Sequence, residues 1–222
     1  MPTTFPDTTD DVARRIRDYF GARLAAYGDD PRGADWQSVA AQHARFAALI
    51  TIGDLRGATV LDAGCGLGHL YGYLCEQGIM AGYTGCDLSE AHVQRAAHSY
   101  PHARFLAAGA QQVASAERFD YVIACGLLHL RVPRWGRWAW AIVRALYACC
   151  RRGLAFTLPQ RGCGHAPVLA AVDPADWSAR LRALCPAVET RELAPWGDAV
   201  FYVRKTERTE GTGAGAGAAC AS

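Results

Sequence analysis

The amino-acid sequence predicts an α/β protein whose doubly wound, mostly parallel seven-stranded sheet ends in an antiparallel hairpin. Short β-rich runs alternate with helical segments from residue 58 onward, which is the pattern of parallel strands joined by right-handed crossovers. A glycine-rich turn follows the first of these strands directly. Near the C-terminus, five residues that include a proline and a glycine separate two β-rich runs, and this spacing predicts the hairpin.

The elements follow one another in a regular order. Two helices precede any strand, and the breaker at residues 28–33, which is rich in Gly, Asp and Pro, separates them. The predicted strands occupy residues 58–61, 83–86, 104–106, 121–124, 154–158, 188–193 and 199–204. The predicted helices occupy residues 8–27, 36–51, 68–77, 90–99, 135–150 and 174–184, and an Asp-Pro pair suited to an N-cap and first turn opens the last one.

This order of elements divides the chain into three regions. We expect an N-terminal helical cap over residues 1–52 and a ligand-binding α/β domain over residues 53–205. Residues 206–222 are predicted to be a disordered tail, because their glycines and alanines carry too little side chain to pack.

Composition restricts the class of protein. With 51% hydrophobic and 20% charged residues, the chain fits one globular domain and is neither disordered nor collagen-like. No window reaches the roughly 18 uncharged apolar residues of a membrane span, and the first residues lack a basic and then apolar leader, so we expect a cytoplasmic location and no membrane partner. The nine cysteines are not spaced as metal ligands, which predicts reduced thiols and no metal site.

Charge is distributed unevenly although the net charge is only +2. Between Tyr121 and Val172 there is no acidic residue, and seven arginines lie in that window. Such a window would attract an anionic small molecule or nucleic acid. Arginines near the end of the helix predicted at 135–150 are equally explained by the helix dipole, and we expect no nucleic-acid partner.

The turn after the first predicted strand carries the clearest chemical signal. Asp62 ends the strand, and Gly64, Gly66 and Gly68 follow at alternate positions before a helix begins. Glycines let a ligand approach the backbone closely, and the carboxyl end of a strand faces the crevice where such sheets bind ligands. Asp87 ends the next strand, nineteen residues after Gly68, where an acid accepts both ribose hydroxyls.

The spacing of the turn separates two classes of nucleotide cofactor. A dinucleotide site would read Gly-x-Gly-x-x-Gly and face a pyrophosphate, which the carboxylate of Asp62 would repel. The same carboxylate suits a cofactor that carries an ammonium and a sulfonium, such as S-adenosylmethionine.

Three motifs in this order resemble those of the class I S-adenosylmethionine-dependent methyltransferases. They are Val-Leu-Asp-Ala-Gly-Cys-Gly-Leu-Gly at 60–68, Gly-Cys-Asp-Leu-Ser at 85–89, and Phe-Asp-Tyr-Val-Ile-Ala-Cys-Gly-Leu-Leu-His at 119–129. The resemblance runs from about residue 36 to residue 205, and within the superfamily the chain is similar to a group of small single-domain bacterial enzymes. It implies a Rossmann-like methyltransferase fold, S-adenosylmethionine as cofactor and a small-molecule acceptor.

The resemblance also implies a set of binding residues. The cofactor-binding positions would be Gln42, Arg45, Asp62, Gly64, Cys65, Gly66, Gly68, Asp87, Leu88, Gln111, Cys125 and Gly126. Among them, Arg45 is a candidate for the methionine carboxylate, although a solvent-facing arginine is an equal reading. The superfamily usually has an acid after the third strand to accept the adenine amino group, and here Gln111 or backbone groups must serve instead.

His129, at the end of the fourth strand's loop, is the candidate catalytic residue. A neutral imidazole there could take a proton from the acceptor, and it could equally only orient the acceptor by a hydrogen bond. Methyl transfer depends mainly on alignment, so a base is not obligatory. Trp36 and His165 are further candidates for contact with the substrate, and we expect residues 160–172 to form a lid.

Three functions remain open from the sequence. The leading one is methyl transfer from S-adenosylmethionine to a small molecule, in secondary metabolism. The alternative keeps the cofactor but lets its own amino group displace methylthioadenosine, which forms azetidine-2-carboxylate. The third is a binding protein without turnover, against which the intact Asp62 and Asp87 argue.

Overall fold

The computed structural model describes residues 9–194 and 196–205, so the predicted tail at 206–222 lies outside the described residues. Its centre is one sheet with strand order β3-β2-β1-β4-β5-β7-β6. Strands β1 to β5 run parallel, and β7 lies antiparallel between β5 and β6. The strands are β1 Thr59–Ala63, β2 Gly82–Asp87, β3 Arg104–Ala107, β4 Phe119–Ala124, β5 Cys150–Pro159, β6 Val188–Leu193 and β7 Asp198–Arg204. This order confirms the predicted fold class.

Seven α-helices surround the sheet in the described residues. They are α1 Thr9–Tyr27, α2 Val39–Leu49, α3 His69–Glu76, α4 Glu90–Ser99, α5 Ala110–Ala116, α6 Trp135–Cys149 and α7 Pro174–Arg182. Two short 3-10 helices, Pro31–Ala34 and Ile50–Ile52, flank α2. No helix of the described residues is both long and apolar enough to cross a membrane.

Side-chain caps determine where several helices begin. Ser38 accepts a hydrogen bond from the Ala41 amide, so α2 begins at Val39 rather than at Trp36 as predicted. Ser89 caps α4 and Asp173 caps α7 in the same way. Each cap satisfies an amide that would otherwise lack a partner in the first turn.

Two buried clusters form the layers on either side of the sheet. One packs α5, α6 and α7 against the strands through residues such as Val113, Leu146 and Leu181. The other packs α2 and α3 through Leu49 and Leu74. Because the strand order reverses between β1 and β4, the carboxyl ends of these strands open onto the crevice where α/β sheets bind ligands.

Helix α1 lies across this crevice and is tied down at both ends. Val12 packs with Leu130 and Val132 beyond β4. Toward its other end, the Tyr19 hydroxyl donates to Asp35 over 2.8 Å, and Arg23 pairs with the same carboxylate at 3.0 Å. The N-terminal helix is therefore placed over the carboxyl edge of the sheet.

Candidate active site

A cavity of about 390 Å³ lies at the carboxyl ends of β1, β2 and β4. Its floor is made by the turn after β1, with Asp62, Gly64 and Gly66, and by Asp87 at the end of β2. A volume of this size falls in the range of small-molecule and cofactor sites. The cavity therefore occupies the position where the sequence predicts the cofactor.

Asp87 fixes the glycine-rich turn to the end of β2. Its two carboxylate oxygens accept hydrogen bonds from the Gly66 amide at 3.0 Å and the Ser89 amide at 2.8 Å. Burial raises the pKa of Asp87, and these amide donors oppose that rise. Each oxygen keeps a further lone pair, so the carboxylate can still accept hydroxyl donors from a ligand.

Gly64, Gly66 and Gly68 have φ angles of 77°, 52° and 76°, values that L side chains rarely adopt. At Gly68 a Cβ would also come within 2.9 Å of the Phe105 ring. Gly68 therefore permits the tight entry into α3 and does not line the cavity itself.

Asp62 is the second carboxylate of the cavity floor and is buried, with 2% of its surface exposed. The Tyr83 hydroxyl donates to it over 2.6 Å. Burial raises the pKa of Asp62 from 3.8 to about 7, and the nearby charge of Asp87 adds to the rise. A buried carboxylate with one hydrogen bond is most stable beside a cation, so Asp62 suits a positively charged group of a ligand.

Helix α1 forms the roof of the cavity. Asp10, Ala13, Ile16, Arg17 and Phe20 line it, at the spacing of one helix face. The sequence predicts a helical cap but does not assign these residues. The apolar positions 13, 16 and 20 are the signal that could have identified the covering face.

The side of the cavity next to α6 is apolar. Leu127 follows β4, and Trp138 and Ile142 project from α6 into the cavity wall. At the opposite side the Gln42 amide lies 3.0 Å from His69 Nδ1, and both side chains line the cavity. Trp138, Ile142 and His69 are also absent from the sequence-based set.

The structure brings together most of the predicted site residues. Those that line the cavity are Trp36, Gln42, Asp62, Gly64, Cys65, Gly66, Asp87, Leu88, Gln111, Cys125 and Gly126. The cavity lining does not include Arg45, Gly68, His129 or His165.

Arg45, the predicted partner of the methionine carboxylate, does not line the cavity. Its guanidinium pairs with Asp198 at 2.5 Å and donates to the Ala41 carbonyl at 2.7 Å. The residue is 5% exposed, so it is not the solvent-facing arginine that the sequence equally allows. Three of its five N–H donors are engaged, by Asp198, the Ala41 carbonyl and the Trp196 carbonyl, so protein acceptors hold Arg45 in place.

His129 lies behind the cavity wall, where its Nε2 is 3.0 Å from Thr157 Oγ1. The Gly126 amide donates to the same hydroxyl oxygen at 3.1 Å, so Thr157 links the histidine to the wall. Burial lowers the pKa of His129 from 6.5 to about 4. The imidazole is therefore neutral at neutral pH and is a weaker base than the sequence leads one to expect.

His165 lies in the loop between β5 and α7, away from the cavity. Its Nε2 is 2.6 Å from the Gly197 carbonyl and 3.7 Å from Asp198. These contacts place the loop against the turn between β6 and β7. Among the described residues, no group of three or more His, Cys, Asp or Glu could hold a metal ion.

Several solved structures with the same fold are methyltransferases. Magnesium protoporphyrin IX methyltransferase from Synechocystis PCC 6803, crystallised with S-adenosylmethionine, is 20% identical with a TM-score of 0.65, over 93% of this chain and 100% of that chain. A 1,6-didemethyltoxoflavin-N1-methyltransferase from Burkholderia thailandensis is 24% identical, with a TM-score of 0.67, over 93% and 94%. The N-methyltransferase NodS from Bradyrhizobium japonicum WM9 is 18% identical, with a TM-score of 0.60, over 86% and 98%. A search of curated protein sequences finds no match.

The sheet order, the crevice and the two carboxylates define a class of α/β domain that holds a nucleoside cofactor at the glycine-rich turn. Residues 60–151 match a family model described as a methyltransferase domain. The match spans β1 to β4 with the helices between them, and magnesium protoporphyrin IX methyltransferase was crystallised with S-adenosylmethionine. These findings agree with the predicted methyltransferase class and with S-adenosylmethionine as the cofactor.

Proposed function

We propose that the protein transfers the methyl group of S-adenosylmethionine to a nucleophilic atom of a small molecule in secondary metabolism. One observation carries this proposal. Two carboxylates, the buried Asp62 and the half-buried Asp87, line the same cavity at the ends of neighbouring strands. They match two polar groups of the cofactor, which are the ammonium group and the ribose hydroxyls.

The residues around the cavity would hold the cofactor in one orientation. Asp87 would accept the ribose hydroxyls, and Asp62 would face the ammonium group. Leu88 and Gln111 line the part of the cavity beyond Asp87, where the adenine would lie. Gln111 would replace the acid that the superfamily usually supplies to the adenine amino group.

The chemical step is an in-line displacement at the methyl carbon. The nucleophile forms a bond to that carbon while the carbon–sulfur bond breaks and its electron pair stays on sulfur, which leaves S-adenosylhomocysteine. Alignment and exclusion of water supply most of the acceleration in such a step. His129 would act by positioning the wall at Gly126 through Thr157, because burial lowers its pKa to about 4 and makes it a weak base.

An enclosed apolar cavity favours a small acceptor. Helix α1 covers it with Ala13, Ile16 and Phe20, and α6 adds Trp138. An extended nucleic acid needs an open basic face, so no nucleic-acid partner is part of this proposal. A cytoplasmic location is part of it, and reduced cysteines are consistent with that compartment.

The cyclisation alternative has no support from the comparisons. It predicts a different nucleoside product, which makes the two chemistries separable. Methyl transfer leaves S-adenosylhomocysteine, and attack by the cofactor's own amino group leaves methylthioadenosine.

The test is incubation of the protein with S-adenosylmethionine and a panel of small aromatic amines, phenols and carboxylic acids, followed by mass spectrometry. We expect S-adenosylhomocysteine together with one acceptor heavier by a methylene unit. The Asp87→Ala variant serves as the control and should form neither product. Methylthioadenosine formed without any acceptor would contradict methyl transfer.

A further inference from the structure

A buried ion pair lies directly behind the cavity wall and is not part of the cofactor site described above. Arg45 of α2 and Asp198 at the start of β7 are separated by 153 residues in the chain and meet at 2.5 Å. Their side chains are 6% and 1% exposed. Burying two charges costs several kcal/mol per ion, and apolar residues of the same volume would pack without that cost. Packing alone therefore does not account for the pair.

Trp36 lies between this ion pair and the cavity. The Arg45 guanidinium carbon is 5.0 Å from the centre of the Trp36 ring, in a cation-π contact. The far edge of the ring meets Gly126, where an added Cβ would come within 3.1 Å of Trp36 Cζ2. Trp36 also lines the cavity and packs edge-to-face on His129, with 6.1 Å between the ring centres.

This arrangement places a guanidinium charge one aromatic ring away from a cavity that accepts a cation. Asp62, Gly126 and Trp36 line the same cavity, and the sulfonium lies between the ribose and the ammonium group of the cofactor. An unpaired guanidinium behind Trp36 would repel the sulfonium and would also draw on the electrons of the ring. The carboxylate of Asp198 removes the net charge.

We propose that Asp198 is a positioning residue for the methyl-transfer reaction: by neutralising and holding Arg45, it keeps the Trp36 ring against Gly126 as an uncharged aromatic wall for the sulfonium. The proposal rests on the proposed function in taking S-adenosylmethionine as the reacting cofactor. Asp198 acts through Arg45 and Trp36 and does not itself line the cavity.

The ion pair also joins four segments that surround the wall. Arg45 belongs to the cap helix α2, and Asp198 belongs to β7. His165, from the loop between β5 and α7, lies 3.7 Å from the same carboxylate. The Trp196 carbonyl accepts from Arg45 at 3.4 Å, which adds the turn between β6 and β7. The charge balance at Trp36 therefore depends on all four segments being in place.

The test compares two ligands that differ by one charge. S-adenosylmethionine carries the sulfonium, and S-adenosylhomocysteine has a neutral thioether in its place. Calorimetry at pH 8 gives the ratio of the dissociation constant of S-adenosylmethionine to that of S-adenosylhomocysteine. In Asp198→Asn, which leaves Arg45 unpaired, we expect the ratio to rise at least about fivefold. In Arg45→Gln, which leaves Asp198 unpaired, it should fall below the wild-type value.

The double variant Arg45→Gln/Asp198→Asn removes both charges and should return the ratio to within about twofold of wild type. Glu117→Gln is the matched control, because it breaks an exposed ion pair with Arg104 away from the cavity. A purely structural role would weaken both ligands equally and leave the ratio unchanged in every variant. An unchanged ratio in Arg45→Gln, or in a folded Asp198→Asn, overturns the proposal. The product analysis with the acceptor panel tests the proposed function. Its outcome does not depend on this ratio of dissociation constants, so failure of one proposal can be told from failure of the other.

Discussion

At the residue scale, the side chains of the site find their hydrogen-bond and ion-pair partners on other strands and helices. Asp62 and Asp87 are assigned from the strand ends alone, and both line the cavity. The Tyr83 hydroxyl on Asp62 and the Thr157 hydroxyl beside His129 come from other strands and carry no local signal. Arg45 shows the same limit, because its partner Asp198 is far away in the chain.

Cofactor affinity should depend on pH through Asp62. Burial raises the pKa of Asp62 to about 7, so in the free protein the carboxyl group is mostly protonated at pH 5. A cationic ligand favours the carboxylate, so binding of S-adenosylmethionine should weaken by up to about tenfold for each pH unit below 7 and should release protons. Calorimetry between pH 5 and 7, in two buffers of different ionisation enthalpy, measures both effects.

The matched variant for this dependence is Asp62→Asn, which keeps the shape and removes the titrating group. Its affinity should be lower at pH 7 and should vary little with pH. The effect of pH on the free energy of unfolding through Asp62 has the opposite sign to that of a carboxylate whose pKa is lowered in the fold. Because the pKa is raised in the fold, the contribution of Asp62 is largest at low pH and is lost as pH rises from about 4 through 7. If the affinity of Asp62→Asn for S-adenosylmethionine still varied with pH as in the wild type, a group other than Asp62 would be the cause.

His129 should leave no signature in the neutral part of the rate profile. Burial lowers its pKa to about 4, so the imidazole is already unprotonated at pH 6. We expect the methyl-transfer rate of His129→Asn to follow the wild-type profile between pH 6 and 8, with a reduction smaller than the 10²- to 10⁴-fold typical of a lost general base. A wild-type limb near pH 6 to 7 that disappears in His129→Asn would restore the base role. Assays of product formation at saturating S-adenosylmethionine, stopped at fixed times across this pH range, measure the rate profile.

At the scale of elements, most helices and strands are predictable because their periodicity and caps are local. Helix α5 is the exception, since the sequence predicts no element at Ala110–Ala116. Seven residues are too few for a stable isolated helix, and α5 depends on packing Val113 and Ala114 against the cluster that contains α6. Strand β5 begins at Cys150, earlier than the predicted 154, because its first residues pair at the edge of β4.

Helix α1 should slow the escape of the cofactor. Ile16 and Phe20 are the large apolar side chains of its cavity face. Replacing both by alanine removes apolar contacts with the cofactor, and each lost side chain costs about 1.5 kcal/mol or more if fully buried. We expect the dissociation rate of S-adenosylhomocysteine to rise at least about fivefold in stopped-flow displacement.

The control for this change is Arg14→Ala, on the same helix. Arg14 pairs with Asp11 on the exposed surface and does not line the cavity. The dissociation rate of S-adenosylhomocysteine from Arg14→Ala should match that from the wild type. Equal acceleration in the two variants would mean that helix stability, and not the covering face, controls release.

At the scale of the whole molecule, the sheet order follows from the superfamily resemblance, and the cavity follows from the sheet order. The contacts that close the structure do not follow from the sequence, because they join residues more than 100 positions apart. Tyr202 donates to the Ala48 carbonyl, and Arg204 donates to the Ile52 carbonyl. Both contacts attach the last strand to the segment around α2, which precedes the first strand.

Cofactor binding should stabilise the whole chain. A ligand at one hundred times its dissociation constant adds about 2.7 kcal/mol to the free energy of unfolding. For a protein of this size each kcal/mol corresponds to roughly 2–4 °C in Tm. Differential scanning fluorimetry with S-adenosylhomocysteine should therefore show a rise of at least about 5 °C. Asp87→Ala, tested at the same ligand concentration, should lose most of the rise, and a full rise in that variant would exclude Asp87 from the site.

Strand β7 has a consequence for synthesis on the ribosome. It is made after the other six strands, yet it lies inside the sheet, where β5 and β6 pair with it on either side. Ribosomes add about 5–20 residues per second, so for several seconds after β5 has emerged its open edge remains without a neighbour. An unpaired apolar edge is a template for aggregation, and a message truncated before residue 198 would produce a chain in which that edge is never covered.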